Sequence, residues 1–136
     1  MTRQIERINP DGLMKNPAFS QVVTTQGNGK TIYIGGQNAV NKNREFVGKG
    51  DIQAQTEQVM QNIQVALESC GATFDNLVKL SIHIVQGQNL YGAFQISQKF
   101  LNTSNPPVIT VLVVAGLANP DFLIEIDATA FISEQL

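Results

Sequence analysis

Two acidic side chains stand two positions apart in the run Ile124-Glu125-Ile126-Asp127-Ala128. Apolar and acidic residues alternate there, so a β-strand carries both carboxylates on one face and both isoleucines on the other. A carboxylate in a cleft can take a proton from water or return one to a leaving amine. The bland alternative for Glu125 is an exposed strand carboxylate, and Asp127 beside it reads equally well as part of a surface pair. Gly35 and Gly36 follow the apolar run Ile32-Tyr33-Ile34. They either let a ligand approach the backbone closely or simply end a strand tightly. His83, the only histidine, lies on the polar side of another alternating run, where a hydrogen-bonded structural role competes with proton transfer. Cys70, the only cysteine, completes a helical apolar stripe and reads as core. With one histidine and one cysteine, an internal disulfide is impossible and a zinc site of the usual type is not expected.

The elements that must carry these residues can be read in order. Ile5–Ile8, Gln21–Thr25 and Thr31–Gly35 read as short strands, and Gly27-Asn28-Gly29 between the last two predicts a hairpin. Glu45–Val47 predicts a short edge strand. Ile52, Thr56, Val59, Met60, Ile63, Ala66, Leu67 and Cys70 mark one apolar helical stripe, capped by Asp51 and stopped by Gly71. Gln53, Gln55, Glu57, Gln61, Gln64 and Glu68 read as its solvated face. In the next strand, Leu77–Val85, Leu80, Ile82 and Ile84 alternate with Lys79, Ser81 and His83. Asn89 can cap a second helix reaching about Leu101, and Pro106-Pro107 ends the loop after it. Val108–Ala115 is almost wholly apolar, the pattern of a strand buried on both faces. Two helices cannot cover both faces of one sheet, so the order β–β–β–α–β–α–β–β predicts an α+β fold with both helices on one face and self-association through the other.

With 136 residues, 15% charged, the chain fits one domain spanning 1–136 and one core. No apolar run approaches the roughly 18–20 residues of a membrane span, and the N-terminus shows no signal-peptide core. The formal charge of −2, without a basic cluster, argues against nucleic acid and anionic membranes as partners. A cytoplasmic protein is expected.

Six stretches occur in a telling order: Pro17-Ala18-Phe19-Ser20-Gln21, Ile32-Tyr33-Ile34-Gly35-Gly36-Gln37, the helix from Gln55 to Gly71-Ala72, Asp75-Leu77-Val78-Lys79, Pro106-Pro107-Val108-Ile109-Thr110-Val111, and Ile124-Glu125-Ile126-Asp127-Ala128. Together they resemble the RidA/YjgF family of small trimeric imine deaminases over nearly the whole chain. The resemblance implies a chorismate-mutase-like fold, a mixed sheet with two helices on one face, assembled as a homotrimer with sites in clefts between subunits. It implies hydrolytic deamination of imine or enamine compounds, a small-molecule ligand, and neither cofactor nor metal. Glu125 would be the catalytic carboxylate, with Gly35 and Gly36 lining the site.

Several side chains depart from the family pattern. The arginine that grips a substrate carboxylate falls on Ile109, and a cysteine of some members falls on Val111. The tyrosine of the opening motif is Phe19, the serine before the glycine is Gly35, and an asparagine of the second helix falls on Phe94. Isoleucine offers no hydrogen bond in place of a bidentate guanidinium, a loss of about 2–5 kcal/mol in a desolvated site. Phe19, Phe94, Ile109 and Val111 together predict an apolar pocket, suited to an aromatic or otherwise apolar ligand if it is more than core packing. Deaminase chemistry on an unusual substrate competes here with a non-catalytic ligand- or partner-binding trimer. RNA cleavage, known in some relatives, fits the acidic chain poorly.

Overall fold

The computed structural model describes residues 4–134. Strands β1 (Ile5–Ile8) and β2 (Val22–Thr25) form a small antiparallel sheet of their own. The main sheet contains β3 (Gly29–Gln37), β4 (Leu77–Val85), β5 (Val108–Val114) and β6 (Ile124–Ser133), in the order β3-β6-β4-β5. Helices α1 (Ile52–Ser69) and α2 (Leu90–Gln98) pack on one another, and α1 packs on β6 and β3. The sheet is mixed: β6 runs antiparallel to β3 and β4, while β5 runs parallel to β4. The expected α+β architecture is therefore the observed one. No helix among the described residues is long and apolar enough to cross a membrane.

The expected β2–β3 hairpin does not form. Gly27 does turn, with φ of 80°, but β2 pairs back with β1. The strand β3 instead pairs with β6, Tyr33 facing Thr129 and Ile34 facing Ala128. A Gly-Asn-Gly turn reverses the chain locally; which edge the next strand then joins depends on where its apolar face can be buried. The edge strand expected at Glu45–Val47 is reduced to a single bridge, Val40 to Phe46.

Helix α1 begins and ends where its sequence signals lie. Asp51 Oδ1 accepts from the amides of Gln53 and Ala54, both at 3.1 Å. Gly71 takes φ of 78° just past the helix, and the Ala72 amide returns to Leu67 O at 2.9 Å. Val59, Met60, Ile63 and Leu67 are fully buried against Ile32, Ile34, Leu80, Ile82, Ile84, Ile124, Ile126 and Ala128, forming the core. Helix α2, capped by Asn89, ends sooner than expected, at Gln98, although Leu101 still reaches the core.

Gln55 overturns its reading as a surface residue, for it is completely buried. Its Nε2 donates to Gly48 O and Asp121 O, both at 3.0 Å, and its Oε1 accepts from the Leu123 amide at 2.9 Å. Two loops fold over the first turn of α1 and convert a flanking polar position into a buried clip. The strand β5 departs from expectation in the other direction. It is the sheet's edge, and Val111, Leu112 and Val113 are all at least half exposed. An almost wholly apolar edge left open in this way is the kind of surface on which another chain can pack.

Candidate functional site

The alternation of β6 sends Ile124, Ile126 and Ala128 into the core and leaves Glu125, Asp127 and Thr129 half-buried on the face away from the helices. On the neighbouring strand His83 lies directly opposite Glu125, and Ser81 opposite Asp127. Both pairs share the helix-free face because cross-strand partners point the same way.

Glu125 is held in a defined place. Asn38 Nδ2 donates to its Oε1 at 3.2 Å. Its other oxygen lies over Gly36, where a Cβ would stand only 2.6 Å from Oε2 and 2.8 Å from Cδ. Gly36 sits in a bulge, since the β3–β6 register slips between Ile34 and Gln37. It is not among the glycines with positive φ, so what it supplies is room for the carboxylate. Gly35, by contrast, has open space where a side chain would go. Of the two glycines singled out in the sequence, only Gly36 touches Glu125. The role of Asn38 carried no sequence signal beyond its place after Gly-Gly-Gln.

The four apolar candidates do not form one pocket within the chain. Phe94 and Val111 do meet, in a concavity of about 340 Å³ between α2 and the sheet. Ile82, Ile84, Ala93, Ile124 and Ile126 also line it, with Tyr91 and Ser97 at the α2 side. Ile109 is beside Leu80, two residues before Val111, and packs against the core rather than lining this hollow. Phe19 is half-buried in a segment tied to the start of β5, where Ser20 Oγ donates to Pro106 O at 2.6 Å and Ser20 N to Pro107 O at 3.0 Å. It too is absent from the lining. The parallel register sets Val111 beside Ile82, on the helix side of the sheet. The carboxylate of Glu125 points to the other side. Within a single chain Glu125 and Phe94 therefore lie on opposite sides of the sheet.

No described arginine replaces the one missing at Ile109. Arg7 donates through Nη2 to Asp75 O at 3.0 Å, and burial pushes its pKa down, with Asp75 opposing the change. Arg44 is exposed in a loop knotted by Asn41, whose Oδ1 accepts from the amides of Asn43 and Glu45. Lys49 faces Asp121 at 3.9 Å across an exposed pair. Arg3 lies outside the described residues.

Of the two ring nitrogens of His83, Nδ1 is buried without a hydrogen-bond partner. An orphaned buried nitrogen costs stability that an apolar ring of similar shape avoids. His83→Phe should therefore melt at or slightly above the wild-type temperature, by up to about 5 °C, in a thermal denaturation scan. A drop of that size would show that the imidazole has a stabilising partner after all.

Comparison with known proteins points one way. The family model described as Endoribonuclease L-PSP matches residues 13–132. A RutC family protein of Pyrococcus abyssi is 28% identical over 113 residues, 83% of this chain and 85% of that protein. The Rid family protein YyfB of Yersinia pestis superimposes with a TM-score of 0.82 at 33% identity, covering 96% of this chain and all of the other. RidA of an Antarctic Psychrobacter shares the fold, with a TM-score of 0.69 at 21% identity over 87% of this chain and 97% of that one. A family match running through both strands of the site and both helices settles the kinship: the chain belongs to the YjgF/RidA/RutC family, the one whose model carries the L-PSP endoribonuclease description.

Proposed function

We propose that this protein is a cytoplasmic homotrimer that hydrolyses the C=N bond of small imines, or of the imine tautomers of enamines, poor in carboxylate. The observation that carries this reading is the setting of Glu125, with one oxygen held by Asn38 and the other lying over Gly36. In the reaction, water attacks the imine carbon and a C–O bond forms as the C=N π pair moves to nitrogen. Glu125 takes the water's proton and returns it to that nitrogen. Glu125 then carries the hydroxyl proton to the same nitrogen, the C–N bond breaks, and ammonia leaves with the electron pair as C=O forms, so the carboxylate ends ionised. The same carboxylate serves twice as base and twice as acid, and returns to its starting state.

The substrate follows from the apolar half of the site. Phe94 and Val111 line a hollow on the opposite side of the sheet from Glu125, and the β5 edge beside it is exposed and apolar. Packing of copies along this edge would cover Val111, Leu112 and Val113 and bring one copy's Glu125 to another's hollow. A substrate bound there would offer an apolar or aromatic group to Phe94 and would gain nothing from a carboxylate, since no cationic side chain lines the hollow. The same apolarity favours a second reading, a trimer that binds an apolar metabolite without turning it over. Cleavage of RNA, the activity in the family model's description, is disfavoured by the net charge of −2.

Ammonia release from freshly generated imines tests the proposal, with light scattering to give the mass of the assembly. Wild-type turnover of aromatic or aliphatic imines that falls by about 100-fold or more in Glu125→Ala is the expected result. Activity confined to Ile109→Arg, on iminoacids, would instead show a competent carboxylate in a protein whose natural ligand is only bound. A monomer in solution would remove the shared cleft altogether.

A further inference from the structure

We propose that Asn38 is the positioning residue of Glu125, and that it acts from a support of side-chain amides anchored on α1. The inference rests on Glu125 being the working carboxylate, as argued above, and adds which of its oxygens takes the proton.

Asn38 is fixed from behind. Its own carbonyl accepts from Asn62 Nδ2 at 3.0 Å, and the same nitrogen donates to Val40 O at 3.0 Å. Asn62 Oδ1 in turn accepts from Gln58 Nε2 at 2.8 Å, one helical turn earlier. Ala39, the next residue, is completely buried, and its carbonyl accepts from the Val47 amide at 2.9 Å. The short loop after β3 is thus clamped to α1 at Asn38 and Val40, and to the Val47 segment at Ala39. Its one side chain aimed at β6 is the amide that reaches Glu125 Oε1.

The consequence is an asymmetric carboxylate. Oε1 accepts a hydrogen bond from a donor that cannot easily move. Oε2 has no hydrogen-bond donor among the described residues and lies over the bare backbone of Gly36. Oε2 is therefore the oxygen that meets the water and exchanges protons with it. Asn38 never touches the reacting atoms. It removes the rotational freedom that an otherwise half-exposed glutamate would keep, which is how a positioning group lowers a barrier.

The side-chain amide resonances of Asn38 in ¹⁵N-labelled protein provide a readout that does not need turnover. They should move clearly when Glu125 is replaced by alanine, with α1 amides unchanged. Asn38→Ala should lower kcat by about 10- to 100-fold with KM within about twofold of wild type. Asn38→Gln, which keeps a donor, should recover part of that loss. Asn38 resonances indifferent to Glu125→Ala would overturn the inference, as would an unchanged kcat in Asn38→Ala. If no imine is turned over by wild type, coupled resonances would uphold the Asn38–Glu125 link and sink the hydrolytic reading instead.

Discussion

Gly36→Ala should leave the fold intact and cut turnover by about 100-fold or more, the scale expected when a reacting group is displaced by about 1 Å. The new methyl carbon would stand 2.6 Å from Glu125 Oε2, 2.8 Å from Cδ and 3.1 Å from Cγ. These are the far end of a flexible side chain, so the clash is relieved by moving the carboxylate and not by moving the strand. The backbone of Gly36 has no positive φ that alanine would strain. Stability should therefore stay within about 1 kcal/mol of wild type, the range of a tolerated substitution. Gly35→Ala supplies the control, because nothing lies within 4 Å of its added carbon. It should resemble wild type in both melting and turnover. A crystal structure of Gly36→Ala tests the cause directly: Glu125 should have lost its bond to Asn38. A carboxylate still in place with activity gone would mean that the glycine serves some other step.

What the sequence made legible is what local periodicity encodes. The stripe of α1, its Asp51 cap and its Gly71 stop all lie within a few residues of the structure they specify, and each stands in the fold where the sequence puts it. The alternation of β6 gave the face of Glu125 for the same reason. Pairing partners are a different matter. The strand β3 meets β6 and not the adjacent β2, since the apolar Ile32 and Ile34 are buried only in the main sheet, under α1. No residue near Gly27 records that choice. The same limit explains why Phe94 and Val111 share a hollow while Ile109 and Phe19 stay out of it. Alignment to the family motif assigns positions along the chain, but a strand residue's neighbours depend on the register of β5 against β4. Asn38 was invisible for a related reason. A polar residue in a loop becomes informative only when the loop is seen clamped against α1.

Gln55→Ala should lower stability by about 2–4 kcal/mol, one of the larger losses open to a polar residue in this chain. The side chain is fully buried and makes three hydrogen bonds, to Gly48 O, Asp121 O and the Leu123 amide. Alanine leaves two carbonyls and one N–H without partners, each costing about 1–3 kcal/mol unless water enters the space left behind. For a domain of this size the melting temperature should fall by roughly 10 °C in calorimetry. Gln55→Glu isolates the donor, for a carboxylate keeps the acceptor toward Leu123 but presents oxygen to two carbonyls. It should be no more stable than alanine despite its nearly equal volume, because a buried charge is then left facing like dipoles. The loss should also be felt at the site. Leu123 and Glu125 lie two residues apart, at the entry to β6, so the clip that joins α1 to the Leu123 amide helps fix where that strand begins. Under conditions where Gln55→Ala is still folded, hydrogen exchange should quicken first at Leu123 and around Gly48. Exchange that quickens uniformly across the sheet would make Gln55 a general core residue and not a local clip. Helix α1 thus supports the carboxylate through two separate sets of amides, Gln55 at the start of β6 and Gln58 with Asn62 behind Asn38. The side-chain amides of Gln55, Gln58 and Asn62, on a buried to half-buried side of α1, are where much of the order around Glu125 originates.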